Sequence, residues 1–448
     1  MTAVGGLCQE VTCTVHDDEA VGPDVVEVVF DDERVVSDAG IALVATLAQR
    51  LGIERLALRL VQLRRDRPGA ANAGRKVMAL VYAMLLGADC IDDCELLRAG
   101  RTRRLLGGWL PAPSTLGTFL RAFTFGHVRQ LDRLLAETIT RAWRAGAGPG
   151  EGRLVVDVDS FIGEVHGYKK QGVGFGYTKR RGYHPLVASR AESGEVLHVR
   201  LRKGKANSSR GAVRFVDELI ARVKRAGARG ETLLRADSSF WNNTLMKRLE
   251  NAGWLYSISI RVQKPISAAI AQVPEADWQT LDDYPEDGEA QIAETTLSGK
   301  RMIVRRTRLI GAQAELWPDW RYHCFVTNRT VPILIADVDH RDHASVELTI
   351  RDLKDQALAH FPSGRYAANN AWTVIAALAH NLARWATLIG LPTAPVQTSH
   401  ARRRQLLQVP GRLTRTSRRW TLRLPARWPW KTAFTTVLDA IRALPALA

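Results

Sequence analysis

The chain has 448 residues, 63 Lys+Arg against 46 Asp+Glu, a formal charge of +17 and 46% hydrophobic content. That apolar fraction excludes a disordered or low-complexity chain, and the length accommodates about two to four domains. No run reaches the roughly 18 uninterrupted apolar residues needed to cross a bilayer, and the acidic start lacks a signal peptide's basic region and apolar run, so a cytosolic protein is expected.

Residues 10–33 carry nine acids and no Lys or Arg, and within them "VVEVVF" (25–30) reads as a short strand. Residues 38–145 read as helices. "SDAGIALVATLAQRLG" has Ser37 or Asp38 as N-cap, "RKVMALVYAMLLG" stops at Gly87, and Ser114 or Thr115 caps a helix after Pro113. A Gly/Pro-rich "GAGPGEG" marks the first boundary. Cys90 and Cys94 in this region read as small buried hydrophobes, because no second Cys or His cluster follows at a metal-site spacing.

The period then changes. "LVVDVDSF" (154–161), "YHPLVASRAE" and "EVLHVRLRKG" read as strands, followed by an amphipathic helix at 210–227, a strand "TLLRADSSF", a helix and a buried strand "WLYSISIRV". In such a β-β-β-α-β-α-β order the first strand is expected beside the fourth, with chemistry at the strands' carboxyl ends. Residues 263–336 read as a β-rich insertion with no long helix, and helices follow at 343–357 and 366–390. From Gln356 to Leu438 there is no acid, and Arg402, Arg403, Arg404, Arg412, Arg415, Arg418, Arg419, Arg423, Arg427 and Lys431 are interleaved with Trp420, Trp428 and Trp430. This is the composition of a polyanion-binding surface.

Two-metal phosphoryl transfer needs convergent carboxylates, which are hard ligands suited to Mg²⁺. The candidates are Asp157 or Asp159 on the first strand, Asp237 at the end of the fourth and Glu347 on a later helix. Singly, each has a plainer reading: Asp237 caps a helix, and Glu347 pairs with Arg351 one turn on. Together, two strand-end aspartates and a helical glutamate in a basic chain form an active-site pattern.

The segments "VVDVDSF", "EVHGYKKQGVGFGYTKRRGYHPLVA", "LRADSSFW" and "HRDHASVELTIRDLK…HFPSGRYAANNAW…LAHNLARW" resemble a bacterial insertion-sequence transposase of the DDE type, in the thirteen-eighty group of insertion sequences. The resemblance implies an α/β fold with a ribonuclease-H-like mixed sheet, a helical N-terminal domain, a β-rich insertion and a basic C-terminal tail. The implied divisions are 1–150, 151–262, 263–336, 337–392 and 393–448. It also implies Asp159, Asp237 and Glu347 as catalytic metal ligands for Mg²⁺, with Mn²⁺ as a substitute. The activity implied is cleavage and strand transfer at terminal inverted repeats by a homodimer that is nucleoid-associated in a bacterial cytoplasm. His340 and His343 stand where relatives carry Tyr and Arg.

A second group of residues is expected to touch DNA. Lys354 lies seven residues, about two helical turns, after Glu347 and on its face, and His343 precedes Glu347 by one turn. With Arg351, and with Lys169, Lys170, Lys179, Arg180 and Arg181 in a glycine-rich hairpin, these form the expected phosphate contacts. Trp317 and Trp320 in the insertion are candidates to stack on a flipped base. The rival readings are a DNA-binding protein without catalysis, a metal-dependent nuclease, and a zinc site at His340, His343 and Glu347.

Overall fold

The computed structural model describes residues 23–64, 66–167, 169–176, 178–282, 284, 288–310 and 320–447. The chain divides into two compact units, Met1–Glu33 and Arg34–Ala448. In the first, a 3₁₀ turn spans Pro23–Val25, and the residues expected as a strand leave Val28, Val29 and Phe30 exposed and unpaired in any sheet. A strand needs a partner for its backbone groups. The pairing falls instead at Val35–Val36, where Val36 is buried and pairs antiparallel with Gly411.

The second unit begins with helices α1 (Ile41–Arg50), α2 (Ile53–Leu60), α3 (Ala73–Leu85), α4 (Pro113–Arg121) and α5 (Phe125–Ala142). The expected caps shift. Gly40 is the N-cap of α1, and Ala112 takes that place for α4 because Pro113 itself occupies the first turn, where its missing N–H costs nothing.

A nine-stranded sheet among the described residues forms the centre. Its strands are β1 (Leu154–Ser160), β2 (Leu186–Arg190), β3 (Val196–Arg200), β4 (Thr232–Ala236), β5 (Leu255–Ile260), β6 (Gln279–Thr280), β7 (Gly288–Leu297), β8 (Lys300–Leu309) and β9 (Arg321–Thr327), in the order β6-β7-β8-β9-β5-β4-β1-β2-β3. β1 runs parallel to β4 and β4 to β5, while β2 and β3 are antiparallel, which is the ribonuclease-H-like arrangement. The two crossovers carry helices α6 (Ala212–Ala226) and α7 (Asn243–Asn251). β1 and β4 are buried almost throughout, as expected of strands covered on both faces.

The insertion is not a separate body. β9 pairs antiparallel with β5, so β6–β9 prolong the core sheet. The insertion also ends sooner than its composition suggests, since "ILIADVDHR" forms helix α8 (Ile333–Arg341). Buried Asp337 on α8 pairs with Arg305 of β8 at 2.8 Å and with Arg341 at 3.1 Å. Helix α9 (Ser345–Lys354) follows, then the 25-residue α10 (Tyr366–Gly390).

α10 is buried along most of its length and packs against α3, α4, α5 and β3. Asn381 on it accepts from the Val196 N–H at 2.7 Å and donates to the Val196 carbonyl at 2.8 Å, which completes the edge strand β3. Beyond it lie a hairpin of β10 (Gly411–Thr416) and β11 (Arg419–Arg423) and helix α11 (Lys431–Ala443). Arg402 is buried beside the Arg384–Asp352 ion pair, and burial pushes its guanidinium down to about 9, so the tail is not uniformly a solvent-facing basic surface. No helix among the described residues is long and apolar enough to cross a membrane.

Candidate active site

Parallel register builds the site. Asp157 pairs with Arg235 and Val158 with Ala236, so Asp159, the penultimate residue of β1, and Asp237, the residue after β4, come at the same end of adjacent parallel strands. Two residues back, Asp157 is fully buried and held by Arg235 through two bonds of 2.6 and 2.8 Å. Ser345 Oγ donates to the same carboxylate at 2.6 Å, and Arg235 also donates to the Asp339 and Asp342 carbonyls. One buried ion pair therefore clamps β1, β4, the end of α8 and the start of α9, the helix that carries Glu347. Asp157 is committed to this strut, whereas Asp159 is partly accessible and accepts only from the Ser160 N–H at 2.6 Å.

Asp159, Asp237 and Glu347 have no salt-bridge partner among the described residues, in a chain otherwise laced with Arg–carboxylate pairs. Burial raises the Asp159 carboxyl to about 6; the Ser160 N–H and His343 oppose the rise, and the charges of Asp237 and Glu347 add to it. Asp237, His343 and Glu347 thus each act electrostatically on Asp159, although the ligand atoms of the three acids do not all lie within 4.8 Å of one another. Asp237 accepts from the Ser239 N–H at 3.0 Å and caps a 3₁₀ turn, Ser238–Phe240, while α7 has its own cap in Asn242. Glu347 lies in the exposed first turn of α9, where the helix dipole favours a carboxylate, and makes no ion pair with Arg351. Arg351 and Lys354 are exposed in the last turn of α9.

The two histidines have separate fates. His343 reaches the Val158 carbonyl of β1 at 3.4 Å and stays beside the acids. His340 sits between Ser257 Oγ (2.8 Å) and Ser259 Oγ (2.9 Å) of β5 and stacks on Phe325 of β9 at 4.1 Å. Burial pushes it down to about 3, so it is a neutral plug at the join of core and insertion. With both ring nitrogens engaged it offers zinc no ligand atom. The three-residue set of candidate ligand atoms within 4.8 Å of one another among the described residues is Asp89, Cys90 and Asp93. That set has a local cause, since Asp93 caps the turn by accepting from the Asp89 and Cys90 N–H groups at 3.1 and 3.2 Å. Cys94 is buried, as expected, with its thiol pushed up to about 12.

A cleft of about 800 Å³ opens beside Glu347, lined by Ser238, Arg261, Tyr284, Tyr322, His340 and His343 among others. In the glycine-rich segment, Lys169 and Lys179 are exposed, Arg180 pairs with Glu164 at 2.7 Å, and Arg181 donates to the Gly167 carbonyl at 2.6 Å. Lys170 turns inward to the Phe361 carbonyl. The segment forms a small three-stranded antiparallel sheet of Gly163–Glu164, Gly174–Phe175 and Arg181–Tyr183. Trp320 lies against Arg306 and Arg308, each 4.4 Å from its ring centroid, and Trp317 lies outside the described residues.

Arg235 and Ser345 were not picked out from sequence. The signal was present: an arginine in the otherwise apolar "TLLRA" demands a buried counter-charge, and Asp157 holds the equivalent place in "LVVDVDS".

The profile of the family transposase DDE domain, group 1, matches residues 18–446. The chain belongs to this family. Among solved structures, the synaptic complex of piggyBac transposase with hairpin DNA is similar at a TM-score of 0.46 and 12% identity, covering 92% of this chain and 84% of that one. A search of curated proteins finds no match.

Proposed function

We propose that this chain is a metal-dependent DNA transposase that cuts and joins strands at the terminal inverted repeats of an insertion sequence, with Asp159, Asp237 and Glu347 as its metal ligands. The observation that carries the reading is Asp159 and Asp237 at adjacent strand ends of a ribonuclease-H-like sheet, with Glu347 on helix α9 near enough to act on Asp159 and no Arg or Lys ion pair on any of the three among the described residues. Hard carboxylate oxygens without a counter-ion suit Mg²⁺, and Mn²⁺ as its substitute. When bound, such ions polarise the phosphoryl group and lower the pKa of an attacking oxygen.

The chain's own groups do the rest. The Asp157–Arg235 strut fixes the Glu347 helix, His343 lies beside Asp159, and exposed Lys354, Arg351, Lys169 and Lys179 hold phosphates. Arg180 and Arg181 join them once their present partners are exchanged for phosphate, while Trp320, already against two arginines, borders the path of the bases. Lys170, turned inward, contributes by holding its loop. Two element ends require two such sites, hence a homodimer, and the DNA substrate places it with the bacterial nucleoid.

The test is a labelled duplex ending in the element's inverted repeat, incubated with the protein in Mg²⁺, Mn²⁺ or EDTA. Nicking at the element boundary and joining to a second DNA are expected with either metal, and loss of more than about 100-fold in Asp237→Asn and Glu347→Gln. Salt-sensitive binding with no cleavage in any metal would leave a DNA-binding protein or a dead copy, and nicking without joining would leave a nuclease.

A further inference from the structure

The β10–β11 hairpin divides the tail's charges by face. Across its ladder Arg412 opposes Arg423, Leu413 opposes Leu422, Thr414 opposes Thr421, Arg415 opposes Trp420 and Thr416 opposes Arg419. Strand alternation sends Leu413 and Leu422 to one side, where they pack with Val36, Ala39, Leu105 and Leu424. Arg101 fastens the same side by donating to the Leu413 carbonyl at 2.9 Å and lying over the Trp420 ring at 5.8 Å. The opposite side is left with three arginines and three threonines: Arg412, Arg419, Arg423, Thr414, Thr416 and Thr421, all but Thr414 exposed.

Most of the arginine charge on and beside that face is not used within the chain. The side chains of Arg418, Arg419 and Arg423 have no hydrogen-bond or salt-bridge partner among the described residues, and no acid occurs between Gln356 and Leu438. Exposed arginines in this state attract a polyanion. A two-stranded ribbon also fits the width of a DNA groove, and arginine and threonine donate to phosphate oxygens. Arg402, by contrast, is turned inward, so the ribbon and not the whole tail presents the charge.

We infer that the solvent face of the β10–β11 ribbon binds the phosphate backbone of duplex DNA without regard to base sequence, as a second DNA contact apart from the cleft at Glu347. None of its residues lines that cleft. The inference rests on reading the chain as a DNA-processing enzyme, but not on its catalytic acids.

The full chain is titrated in EDTA with an element-end duplex and a shuffled duplex at several salt concentrations. Arg419→Ala/Arg423→Ala is compared with Lys224→Ala/Arg225→Ala, an equal loss of exposed charge on α6. Each phosphate contact contributes about 0.9 to the slope of log affinity against log salt, so the ribbon variant is expected to lose about 1.8 and the control less than about 0.5. Thr421→Arg, which adds a charge to the same face, is expected to gain about 0.9. Equal losses in ribbon variant and control, or no gain from Thr421→Arg, would overturn the inference; a loss confined to the element-end duplex would overturn its indifference to sequence. Cleavage is silent in EDTA, so this outcome and that of the Mg²⁺ assay are independent.

Discussion

Arg235 shows how much of the site depends on a residue that touches no reacting atom. It is buried, neutralises Asp157 and satisfies two carbonyls at the α8–α9 corner, so removing it orphans a charge and loosens the Glu347 helix together. Arg235→Met is expected to cost about 3–5 kcal/mol in urea unfolding, while Asp157→Leu/Arg235→Met, which removes both charges, recovers most of it. A loss below about 1 kcal/mol for the single variant would refute the strut. Asp159 makes the opposite case. Its carboxyl lies at about 6 in the fold against 3.8 in the free residue, raised chiefly by burial. The stability this group contributes is present below pH 3.8 and lost as pH rises through about 6. In EDTA, Asp159→Asn should therefore gain stability relative to the parent between pH 4 and 7, read as thermal midpoints; parallel curves would show that burial does not raise the Asp159 carboxyl.

At the scale of elements, Glu195 joins three of them. Lying at the entry to β3, it accepts from the indole N–H of Trp385 on α10 at 2.7 Å and from that of Trp143, just after α5, at 2.9 Å. Complete burial raises its carboxyl to about 7, against the pull of the two indoles and Arg190. The contribution is again lost as pH rises, here from 4.5 through about 7, so Glu195→Gln is expected to flatten the fall in stability between pH 4.5 and 7. Glu195→Ala leaves two buried donors without an acceptor and is expected to cost about 3 kcal/mol by chemical denaturation. Most elements were legible because their periods are strong: β1, β4, α6 and α10 fall where "LVVDVDSF", "TLLRADSSF" and their neighbours put them. Their order also made Asp159 and Asp237 neighbours in expectation. What stayed hidden was decided by tertiary partners. "ILIADVDHR" is a helix because Asp337 finds Arg305 across the sheet, and "VVEVVF" is not a strand because nothing pairs with it. Composition likewise cannot say that Arg402 turns inward while Arg419 and Arg423 face water, and His340's two serine partners lie more than eighty positions away in sequence.

On the scale of the whole molecule, the join of β5 to β9 makes core and insertion one sheet, with His340 stacked on Phe325 at the join. The two are expected to unfold together. Val326→Ala in β9, a buried truncation worth about 1–2 kcal/mol, should slow no exchange but lower hydrogen-exchange protection in β4 and β8 equally; loss in β8 alone would mean that the insertion opens by itself. The Asp157–Arg235 strut has a further consequence for how lineages of this gene decay. Mobile sequences accumulate substitutions once selection lapses, and an observer judging a copy by its three acids would pass one that had lost Arg235. Such a copy would look intact on the page and yet encode a protein whose Glu347 helix has lost its seat, so under the proposed assignment of Asp159, Asp237 and Glu347 an inventory of living copies must score residues 157 and 235 as well.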